Sequence, residues 1–173
     1  KAWKHLLPLV DSYIDAVGED PRMAEQLPSV LQVLTRFAGQ AKQENAAIEK
    51  LAAIEKRLDA LAADGKSDSL RKAARDAFNQ RVLLLAKTGK QEEAGKLTAE
   101  TVKAAQAALK EAPDDVQRVI AVADALGLQA NVAAEKDQQA ANAAYQTYLD
   151  FVNEQWDKHP GNTKIQDAFI MAF

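Results

Sequence analysis

Apolar residues recur three and four positions apart along nearly the whole chain, a spacing that marks one face of a helix. The pattern predicts eight helices. The first covers 2–17, with Trp3, Leu6, Leu7, Val10, Tyr13, Ile14 and Val17 on one side, a bend or restart at Pro8, and a stop at Gly18-Glu19-Asp20-Pro21. The second covers 22–38 through Leu27, Val30, Leu31, Leu34 and Phe37, bent in its first half by Pro28 and closed by Gly39, which tolerates a left-handed backbone. The third, 41–63, carries Ala47, Leu51, Ile54, Leu58 and Leu61 at alternating steps of four and three. That heptad stripe lasts about two heptads, too short for a free coiled coil, and reads as a long helix packed along its neighbours.

Four more helices and a final one follow. The fourth, 68–88, starts at Ser67 or Asp68 as N-cap and turns Leu70, Ala74, Phe78, Val82 and Leu85 inward. The fifth, 91–111, opens on Glu92 and Glu93, whose charges suit the positive end of the helix dipole. Pro113-Asp114-Asp115 restarts the chain for a sixth helix at 114–133. The seventh, 137–158, lines up Tyr145, Tyr148, Leu149, Val152 and Trp156, and the eighth begins after His159-Pro160-Gly161-Asn162.

A repeat underlies these helices. The phrases Lys42-Gln43-Glu44-Asn45-Ala46, Lys90-Gln91-Glu92-Glu93-Ala94 and Lys136-Asp137-Gln138-Gln139-Ala140 are separated by 48 and 46 residues. Breakers at Asp20-Pro21, Asp64-Gly65, Ala112-Pro113 and His159-Pro160 keep the same beat, near 47 residues. Two helices and two turns fill such a unit. The expected organisation is one domain over 1–173, with repeats at 21–64, 65–112 and 113–159 and flanking helices at 1–20 and 160–173. In this register Ala94 and Ala140 face the preceding helix, Arg71 and Arg118 are matched 47 apart, and Leu61, Leu109 and Trp156 fill equivalent bulky positions.

Composition supports an all-α fold. Of 173 residues, 35 are alanine, while seven glycines and five prolines sit mostly at the breaks. Alanine favours helix and lets helices approach closely. A net charge of −3 with mixed signs argues against a nucleic-acid surface, which would show a basic stripe. Apolar runs are short, Val82 to Ala86 and Ala168 to Phe173 among them, and fall far short of the roughly 20 residues of a membrane span. With no cysteine there is neither a disulfide nor a thiolate metal site, which leaves the compartment open.

The helix-turn-helix units, a small residue early in each second helix (Ala46, Ala94, Ala140), Phe78 in a first helix and proline closing a unit (Pro113, Pro160) resemble the tetratricopeptide repeat superfamily. The usual repeat is 34 residues with a glycine inside the first helix; here the period is longer and Gly89 falls in the turn. The resemblance implies an α-α superhelix of stacked antiparallel helix pairs that binds a protein or peptide partner, or another domain of the same chain. Similar long-period segments accompany bacterial kinase-like and thioredoxin-like domains, so a spacing or docking role beside such a catalytic domain is the alternative it implies.

Candidate chemistry is sparse, and no catalytic residue, metal ligand or cofactor site is expected. His5 and His159 are the only histidines, and neither lies in a His-Glu-x-x-His or Glu-x-x-His arrangement. No glycine cluster cradles a phosphate, and no serine sits in an elbow of glycines. A small-molecule or catalytic role would need an enclosed pocket with converging polar groups. The candidate binding residues are Arg71, Arg75 and Asn79, one turn apart, with Arg118 in the next repeat; on a concave face they would present fork-like donors to a carboxylate or acidic peptide. The final stretch, with Ile165, Phe169, Ala172 and Phe173 near one stripe, reads as the first helix of a further repeat, which would leave Phe169, Ile170 and Phe173 as an apolar end open to self-association.

Overall fold

The computed structural model describes residues 2–64 and 67–170, and these form α-helices with one 3-10 segment and no strand. In chain order the helices are α1 (Ala2–Glu19), a 3-10 turn (Pro21–Gln26), α2 (Leu27–Ala41), α3 (Glu44–Asp64), α4 (Asp68–Lys87), α5 (Gln91–Glu111), α6 (Val116–Ala134), α7 (Gln138–Lys158) and α8 (Thr163–Ile170). The chain divides into two compact units, Lys1–Leu84 and Leu85–Phe173, with the division inside α4.

Local sequence sets most helix ends. Asp115 and Asp137 are N-caps whose carboxylates accept from Arg118 N and Gln117 N, and from Ala140 N. Ser67 Oγ accepts from Leu70 N, and Asn162 Oδ1 from Lys164 N and Ile165 N. Each oxygen satisfies amides that the first helical turn leaves without partners. Gly89, at φ 83°, makes the tight turn into α5 that its lack of a Cβ permits.

Three expected boundaries move. Pro8 lies inside an unbroken α1, with no restart. The expected second helix splits, because Asp20 caps a 3-10 turn and Pro28 falls in the first turn of α2, where a missing amide costs nothing. Gly39 does not end α2; the helix runs on to Ala41, and Lys42 takes the left-handed conformation at φ 54°.

In the first unit, α1, the 3-10 turn, α2 and α3 pack together. Val10, Ile14 and Val17 of α1 meet a leucine-rich interior from α2 and α3, including Leu31, Leu34, Leu51, Ile54 and Leu58, all buried. The heptad stripe of α3 is thus a packing face, as its spacing implied. Two ion pairs, Asp11–Lys50 and Asp15–Arg57, join α1 to α3. A third joins α3 to α4: Arg81 Nε donates to Glu55 Oε2 at 3.0 Å, and its guanidinium lies over the Phe78 ring. Burial pushes the Glu55 carboxyl above its ordinary value, and Arg81 offsets only part of that.

In the second unit α6 is the central helix, in contact with α5, α7 and α8. Val119, Val122, Leu126, Tyr148, Val152, Ile165 and Phe169 form its core. Burial raises the Tyr148 phenol above its ordinary value, and the nearby Asp124 carboxylate adds to the shift. Ile165 and Phe169 of α8 are buried, so this part of the apolar stripe closes the unit's own core and is not an exposed patch. The Ile170 side chain and residues 171–173 lie outside the described residues. Tyr145 and Trp156, aligned with Tyr148 and Val152 along the seventh helix, are 40% and 42% exposed.

The 47-residue beat is sharper in burial than in the sequence phrases. Ala47, Ala94 and Ala141 are all buried, each 47 residues after the last, whereas Ala46 and Ala140 are half-buried. Ala94 is therefore buried as its register requires. Ala140 is not: Asp137 caps α7, and the helical position that turns fully inward falls one residue later.

Candidate functional site

The sequence-expected arginines occupy three different settings. Arg71, in the first turns of α4, is exposed and donates to Asp68 Oδ1. Arg75 follows one turn later and is exposed, and Asn79 is half-buried. Arg118 lies in the second unit and works locally. Its guanidinium donates to the Ala108 carbonyl and to Glu111 Oε2, with Asp115 also close at 3.6 Å. Ala108 carries one of the last carbonyls of α5, which no helical amide reaches. Arg118 thereby braces the α5–α6 turn.

Cap positions also change the register of the two arginines. Counting from the N-caps, Arg71 is fourth after Ser67 and Arg118 third after Asp115. One residue is about 100° around a helix. The two arginines are therefore not equivalent on their own helices, although they are 47 apart in sequence.

The first unit holds a cavity of about 440 Å³ between the 3-10 turn, the start of α2 and the N-terminal half of α4. Ala24, Pro28 and Ala73 give it an apolar side, and Glu25, Asp76 and Lys72 a charged one. Among the described residues no cluster of three His, Asp or Glu side chains can hold a metal ion.

The second unit holds a larger groove, about 830 Å³, between the C-terminal ends of α5 and α7. On α5 it is lined by Gln106, Leu109 and Lys110, which share one face at steps of three and four. Pro113 and Asp114 of the α5–α6 turn close one end. On α7 the lining is Phe151, Glu154, Gln155 and Lys158, again one helical face, followed by His159. Leu109 and Phe151 are partly buried and lean on the core beneath. Lys158 pairs with Glu154 one turn away, and Lys110 stands in the last turn of α5, where its charge suits the negative end of the helix.

Gln155 is the unusual member. It is only 4% exposed and it lines the groove. Sequence reading passed over Gln155 because a glutamine near a helix end reads as surface, and His159 because it reads as a turn residue before Pro160. The available signal was the 151, 154, 155, 158 spacing opposite 106, 109, 110. Comparison of the chain with protein-family profiles, with curated proteins and with solved structures finds no match.

Proposed function

We propose that this chain is a helical interaction module, a stack of antiparallel helix pairs of the α-α superhelix type similar to tetratricopeptide repeats, that binds another polypeptide or another part of its own chain through preformed helix faces. The groove between α5 and α7 carries this reading, since it combines an apolar wall from Leu109 and Phe151 with polar side chains from Gln106, Glu154 and Gln155. Such a mix of apolar surface with a few fixed polar groups is what ligand-binding concavities present. Support for repeat packing comes from the alanines at 47, 94 and 141, whose small side chains sit at corresponding buried positions. No helix among the described residues is long and apolar enough to cross a membrane.

Selection from a random peptide library on the folded chain, with heat-denatured chain as the control, tests the function. Enrichment specific to the folded chain, followed by protection of one continuous surface from hydrogen exchange, is the expected result. If the folded chain enriches nothing beyond the control, the interaction reading is wrong.

A further inference from the structure

We draw no further inference here: the strongest candidate, the cavity of the first unit between the 3-10 turn, α2 and α4, sets Glu25, Asp68 and Asp76 beside Lys72 and an apolar side of Ala24, Pro28 and Ala73, and nothing in the structure shows what covers it.

Discussion

The two units are similar in length and helix content, yet they hold their helices together differently. In the first, ion pairs cross between helices: Asp11–Lys50 and Asp15–Arg57 clasp α1 to α3, and Glu55–Arg81 clasps α3 to α4. In the second, the described ion pairs join residues close in sequence, Arg118 with Glu111 across the α5–α6 turn and with Asp115, and Lys158 with Glu154 one turn away, and the helices cohere through α6, which packs against α5, α7 and α8. The reason lies in side-chain size and polarity. A helix such as α3, polar on one side and heptad-patterned on the other, can bring charged stems to its neighbours. A central helix such as α6 has contacts on several sides and tolerates few charges, so caps and small residues set its geometry instead. Volume should therefore govern the second unit, and charge should matter more in the first.

The largest expected effect tests volume and register together. Ala94→Leu should destabilise by about 1–3 kcal/mol through overpacking, whereas Ala140→Leu should change stability by less than about 0.5 kcal/mol. Thermal or denaturant midpoints measure both. Equal losses would mean that the alanines at 47, 94 and 141 are not the true contact positions.

Charge in the first unit is tested by Arg81→Met and by Glu55→Gln. Removing Arg81 leaves a half-buried carboxylate without its partner and should cost about 1 kcal/mol at neutral pH. Because the folded-state pKa of Glu55 is raised, the folded protein holds that proton more tightly than the unfolded chain does. Its contribution is then fully present below the ordinary glutamate value and is lost as pH rises through the raised value. Denaturation at mildly acid and at neutral pH should show Glu55→Gln gaining on the unsubstituted chain as pH rises. A gain on acidification instead would mean that Arg81 dominates and the carboxyl is held low.

A smaller effect is expected from Asp115→Ala, about 1 kcal/mol, since two amides at the start of α6 lose their acceptor. The smallest belongs to the exposed clasp. Asp11→Asn should cost only a few tenths of a kcal/mol and less still in high salt, because exposed ion pairs are weak and screened. A large, salt-insensitive loss there would erase the contrast between the units.

By itself the sequence determined that the chain is helical, where most turns fall, and the beat near 47 residues, because periodicity, caps and breakers are local properties that the backbone obeys wherever it is placed. Asp115, Asp137, Ser67 and Gly89 all act where their chemistry says they should. Tertiary structure decided the one-residue choices, since a step of about 100° around a helix separates a buried position from a half-buried one. Hence Ala141 replaces Ala140 at the buried position, Arg118 braces a turn, Tyr145 and Trp156 face outward, and Phe169 goes into the core. The groove belongs to the same class. Leu109, Phe151 and Gln155 come from two helices, roughly 40 residues apart, with α6 between them in sequence, and only the packing of both on α6 brings them to one surface.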